Sequence, residues 1–179
     1  MFKINIRIID DIEQLKSMNP SFFDSDFSHI TGFIEIMFGE HKEGCYYHEN
    51  PLREGETGDE LLDYWLNKLL DVVNTITTTK YAAIKQLETV NKWLEFKLND
   101  ENIIINVAVD IAEKNNKLFV KEFFDGYIYI EPIDFSIDFI CFMNEVKNAA
   151  KRFLDEIKEI NPELLKTKMA MELLNKLNV

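Results

Sequence analysis

The chain has 179 residues, 46% of them apolar and 14 of them phenylalanine, enough to bury a real core within one domain. Twenty basic against 32 acidic residues leave a net charge of −12, which disfavours nucleic acid and anionic membranes as partners and would steer a basic protein inward. Two cysteines, Cys45 and Cys141, make no disulfide framework, and no run of about 18 apolar residues spans a membrane.

With too short an apolar run at the N-terminus for a signal peptide, the expected location is the cytoplasm. Phe2, Ile4, Ile6 and Ile8 alternate with polar residues and predict a first strand. Residues 10–21 read as a polar link with a helical turn around Ile12 and Leu15. Residues 27–38 read as a second extended stretch, in which Ile34, Ile36 and Phe38 share one face and Phe33, Glu35 and Met37 the other. Gly32 inside it predicts a bulge or bend.

Residues 39–58 hold four of the six glycines and one proline. A stretch of this length without regular pattern marks a functional segment, or one hiding a short strand at 45–47. Thr57-Gly-Asp-Glu60 then has the form of a capping box, opening a helix over 59–76 with Leu62, Trp65, Leu66, Leu69, Val73 and Ile76 on its apolar side. Thr75 and Thr77 to Thr79 are β-branched and should end it.

The strongest pattern lies at 93–109. Leu94, Phe96 and Leu98 alternate with Glu95 and Lys97, a polar link follows, and Ile103, Ile105, Val107 and Val109 repeat the period of two. This is a hairpin with one buried face. Residues 81–88 are read as a third strand of the same meander. Residues 118–124 and 127–131 predict a further hairpin closed by Asp125-Gly126 and stopped by Pro132. Ser136 is the expected cap of a helix over 137–160, with Cys141 inside its apolar stripe. Asn161-Pro162 starts a last helix over 162–177. The order of elements predicts one α+β domain: an antiparallel sheet of about five to seven strands, with three main helices packed on one face.

Sites for chemistry are few. His41, Cys45 and His48 lie within eight residues and are good zinc ligands by type, but the spacing matches no standard zinc signature and no second ligand pair closes the site. Glu95-Phe-Lys97 has the form of half a metal-dependent nuclease site, and any solvated strand face produces it equally well. His29 has no recognisable partner. Phe22, Phe23, Phe123, Phe124, Tyr127 and Tyr129 could line a pocket and are read as core. No phosphate-binding loop or serine nucleophile motif occurs, so neither an enzyme mechanism nor a cofactor is expected.

One distribution stands out. From Glu35 to Asp63 nine acids face only Lys42 and Arg53, a net charge of −7, whereas residues 144–179 carry seven bases and six acids. The expected contact surface is therefore Glu40, Glu43, Tyr46, Tyr47, Glu49, Glu54, Glu56 and Asp59, the tyrosines anchoring and the carboxylates steering. The plain alternative is a solvated loop that serves solubility. A second alternative is a small-molecule or metal-binding domain built on His41, Cys45 and His48.

The layout from Trp93-Leu94-Glu95-Phe96 through Gly126-Tyr-Ile-Tyr-Ile-Glu-Pro132 into the paired C-terminal helices, about half the chain, is similar to small acidic immunity-type proteins encoded beside bacterial toxins. That resemblance implies a non-enzymatic protein that blocks a toxin by binding it, often through acidic residues. Those families share no fixed motif, so no residue role carries over.

Overall fold

A computed structural model describes residues 1–47, 58–87, 89–112, 116–129 and 133–178. In chain order the elements are β1 (Phe2–Ile8), α1 (Ile12–Ser17), α2 (Pro20–Phe22) running into a π turn (Phe23–Phe27), β2 (Thr31–Phe38), β3 (His41–Gly44), β4 (Glu60–Leu61), α3 (Leu62–Thr79), β5 (Tyr81–Lys85), β6 (Lys92–Asn99), β7 (Asn102–Val109), β8 (Phe119–Val120), β9 (Phe135–Asp138), α4 (Phe139–Ile160), a 3-10 turn (Pro162–Lys166) and α5 (Lys168–Leu177). The architecture is α+β.

The single sheet expected from the sequence divides into two antiparallel sheets. Sheet A has the order β1-β2-β3, with β4 also pairing β2, and sheet B has the order β8-β5-β6-β7-β9. Alternation assigns the faces. Ile4, Ile34, Ile36 and Phe38 of sheet A, and Ile84, Leu94, Phe96, Ile103 and Ile105 of sheet B, join one core with α3, α4 and α5. Phe142 of α4 links the two: its ring centroid lies 4.9 Å from that of Phe2 and 5.5 Å from that of Phe96. The helices are therefore shared by two sheets. A face that looks one-sided in sequence is compatible with either arrangement, and packing selects between them.

Edge strand β1 is closed by side chains rather than by another strand. The Ile4 N–H donates to Glu145 Oε1 at 3.0 Å, and its carbonyl accepts from Arg152 Nη2 at 2.8 Å, both from α4. This satisfies groups that would otherwise invite edge pairing.

Several local expectations are corrected. The capping box does not form around Glu60. Residues Glu60 and Leu61 are drawn into β4 against Thr31 and Gly32, and α3 begins at Leu62 without a side-chain cap. Its first free N–H groups need acceptors, and Leu62 N donates to the Ile30 carbonyl at 2.9 Å. Gly32 permits the close crossing there: a Cβ on it would lie 2.1 Å from the Arg7 carbonyl oxygen.

The threonines do not stop α3. Thr75 and Thr79 hydroxyls donate to carbonyls one turn back, and the helix ends only at Lys80, in the left-handed region at φ 60. Ile76, fully buried in the core, holds this turn against the weak propensity of its neighbours.

Residues 27–38 are not extended throughout: a π turn occupies Phe23–Phe27, and the strand starts at Thr31. The short strand predicted at 45–47 lies earlier, at His41–Gly44. The hairpin predicted around Asp125-Gly126 is absent among the described residues. Phe119 and Val120 pair with β5, and Ile128 bridges to Val109. Ser136 does not cap α4 but sits inside β9, and the cap is Asp138, which accepts from the Cys141 N–H. Cys141 is exposed, outside the stripe formed by Phe142, Val146, Ala150 and Phe153.

Candidate functional site

The acidic segment starts from sheet A and comes back to it. Cys45 N donates to the Ile34 carbonyl at 3.0 Å, and Gly58 packs on Gly32, so close that a Cβ would meet the Gly32 carbonyl carbon at 2.9 Å. The chain thus leaves β2 and returns to it within two residues, from a buried strand on which every residue except Thr31 and Met37 is inaccessible. Tyr47 closes the near end. Its ring stands edge-on over Phe33 at 5.0 Å, and its carbonyl accepts from Arg7 Nη1. Excursions of this kind on a rigid frame are common places for binding residues.

The described acids of 35–63 divide sharply. Glu40 and Asp59 are exposed. Glu35 is turned in, accepting from Asn5 Nδ2 at 2.9 Å and lying 3.2 Å from Lys42. Glu60 accepts from Trp65 Nε1 at 2.7 Å. Asp63 is 3% exposed and takes hydrogen bonds from Ile30 N and His29 Nδ1. Glu43, expected on the contact surface, is 5% exposed and lies inside the molecule. Strand period places it on the inner side of β3, and two of its partners, Gln86 and Lys92, lie 43 and 49 positions away in sequence. Glu49, Glu54, Glu56 and His48 fall outside the described residues.

Glu43 is the junction between the sheets. His41 Nε2 from the same strand donates to Oε1, while Gln86 Nε2 at 2.9 Å and Lys92 Nζ at 2.6 Å donate to Oε2. Burial pushes its carboxyl up, but the hydrogen bonds from Lys92, His41 and Gln86 together outweigh that and hold it below the usual carboxylate value. A cavity of about 160 Å³ lies beside it, walled by Ile36, Glu60, Trp65, Thr89 and Lys92 among others.

These contacts bear on the zinc-type cluster. The His41 imidazole donates to Glu43 and packs 4.8 Å from the Phe38 ring. Cys45 is exposed, and its thiol is pushed up by partial burial and by the charges of Glu60 and Glu35, away from the thiolate that binds metal. Among the described residues no three His, Cys, Asp or Glu side chains are placed to hold an ion.

Glu95 and Lys97 are not a solvated face. Glu95 is fully buried on the reverse side of sheet B. The Tyr129 hydroxyl lies 2.8 Å from its Oε1, and Lys97 Nζ lies 2.9 Å from its Oε2. The cover is the segment 116–129, which packs Tyr127 on Trp93 at 5.4 Å and fits because Ala83 and Ala108 beside it are small. Of the aromatic residues considered for a pocket, Phe23 and Tyr127 are buried, whereas Phe22 and Phe123 are exposed.

Sequence reasoning also missed the pair His29–Asp63. The two are 34 positions apart and meet only because β4 brings the start of α3 beside the end of the π turn. The chain carries no local signal for this pair, because both the burial of Asp63 and the start of α3 at Leu62 follow from the pairing of β4 with β2.

Comparison with protein-family models, with curated proteins and with solved structures returns no match. No helix among the described residues is long and apolar enough to cross a membrane.

Proposed function

We propose that this protein works by binding a basic protein partner through the segment 40–59, not by covalent chemistry of its own. The observation that supports this reading is the placing of the two ends: Cys45 is bonded to the Ile34 carbonyl and Gly58 packs on Gly32, so a run that is rich in carboxylates by sequence is tethered at both ends to neighbouring positions of β2. From Tyr46 to Asp59 the sequence holds Glu49, Glu54, Glu56 and Asp59 against Arg53 alone. Glu40 adds a further exposed carboxylate on the neighbouring turn, and Tyr47, 40% exposed, offers an aromatic anchor. Glu43 belongs to the frame beneath. The partner class is a basic protein, and an immunity role, blocking a toxin encoded alongside, is the specific form of this reading.

The test is reversal of Glu40, Glu49, Glu54, Glu56 and Asp59 to lysine, with fluorescein-labelled decalysine as the probe of the field. Association should slow by about tenfold or more at low salt and much less at high salt. An unchanged rate would sink the proposal. For the immunity form, wild-type protein should restore growth to cells expressing the neighbouring gene's toxic product, and the reversed variant should not.

A further inference from the structure

A second site lies away from that segment. A cavity of about 250 Å³ opens between the 24–29 turn, the first turns of α3 and the start of α5. His29, Asn67, Lys68 and Lys168 line it, with Asp24, Asp63 and Glu172 as its carboxylates. Each carboxylate is already engaged. Asp63 Oδ1 takes the Ile30 N–H at 3.0 Å and Oδ2 takes His29 Nδ1 at 2.8 Å. Asp24 accepts from the Lys168 backbone N–H at 3.0 Å, and Glu172 pairs with Lys176 at 2.9 Å.

The remaining groups have a definite chemistry. A carboxylate only accepts, so in the uncharged tautomer that donates to Asp63 from Nδ1 the His29 Nε2 is an acceptor. The ring is about half exposed, so that nitrogen is within reach of a ligand (47%). Lys168 is exposed and its ammonium has no acidic partner among the described residues, while Lys68 Nζ lies 3.5 Å from Asp71 and stands over the Tyr64 and Phe119 rings at 6.0 and 5.9 Å. In the wall, the Asn67 carboxamide oxygen is buried without a donor among the described residues. A histidine held by a buried carboxylate shares the lining of this small cleft with two lysines, which is more organised than a solvated surface requires.

We propose that this cleft binds a small organic acid that also carries a hydroxyl or amino group. The acid is held by Lys168 and Lys68, and the hydroxyl or amino group donates to His29 Nε2. The volume of about 250 Å³ lies just below the range of about 300–1,000 Å³ usual for drug-sized ligands, which suits a small metabolite.

The probes are L-lactate, acetate, which lacks the donor, and ethanolamine, which lacks the acid. Each is titrated at matched ionic strength while the His29 ring resonances are followed by NMR. L-lactate should give a saturable shift, acetate should bind about tenfold more weakly, and ethanolamine should give none. His29→Phe, followed through the backbone amide resonances, should remove the preference for lactate over acetate, because a phenyl ring offers no acceptor nitrogen. Lys168→Met should weaken lactate about tenfold. Both positions are solvent-accessible, and the backbone amide spectrum checks that the variants fold. Equal affinity for lactate and acetate in the wild type, or no shift beyond that of sodium chloride, would overturn the site and leave a hydrated cleft.

Discussion

Glu43 and Glu95 are both buried carboxylates, and each takes a lysine from β6, Lys92 at its start and Lys97 towards its end. Their surroundings differ. Glu43 gathers donors from both sheets, so the ion pair is a tie between them. Glu95 is served by its own strand and by Tyr129 from the cover, so it fastens one segment to one face. The carboxylate of the nearer pair in sequence, Glu95, is the more deeply buried, which teaches that Glu-x-Lys spacing on a strand carries no information about solvent. What lies over the strand decides it.

The largest effect expected from breaking this contrast is at Glu95. Glu95→Ala leaves Lys97 and Tyr129 without their acceptor beneath the cover, and should cost about 3 kcal/mol in urea unfolding. A loss below about 1 kcal/mol would mean that water reaches the face freely.

Glu43→Gln should cost about 2 kcal/mol near neutral pH, and its effect should depend on pH. Glu43 has a lowered folded-state pKa, so its carboxylate stabilises the fold fully above the ordinary carboxylate range and ceases to do so as pH falls through that lowered value. The gap between wild type and Glu43→Gln should be widest near neutrality and close in acid. A gap that stays constant down to about pH 3 would refute the ion-pair account. Asp63 runs the other way. Burial raises its carboxyl against the opposing bonds from His29 and Ile30, so acid relieves a cost there instead of removing a contribution.

Smallest of the three is Tyr129→Phe, which should cost about 1 kcal/mol because one hydroxyl is lost from a partly exposed position. Its informative use is in a cycle. Combined with Glu95→Ala the two losses should not add, whereas combined with Glu43→Gln they should add to within about 0.5 kcal/mol. Coupling to Glu43 would show that the sheets and the cover respond as one unit.

Much of the scaffold can be read from the chain because its elements follow local rules. The 93–109 hairpin forms as its alternation predicts, Phe96 lying opposite Ile105, and 81–85 completes the meander. The stripes of α4 and α5 likewise mark their buried sides. The misses share a cause. β4 and β9 are short and form only where a distant strand offers an edge, Thr31–Gly32 for one and Asn102–Ile105 for the other. The acidic segment was visible as a run of charge, but which carboxylates turn inward was not. Glu35, Glu43 and Asp63 each depend on a donor contributed by another element: Asn5, Gln86 and Lys92, or His29.

Alternation and helical period, properties of neighbours along the chain, determine the strands, the long helices and the face of each that is apolar. Only the tertiary structure decides that the strands form two sheets around shared helices, that Glu43 and Glu95 are enclosed, and that His29 meets Asp63. Those outcomes rest on contacts between residues far apart in sequence, where burial and hydrogen bonding are settled together by what packs against what.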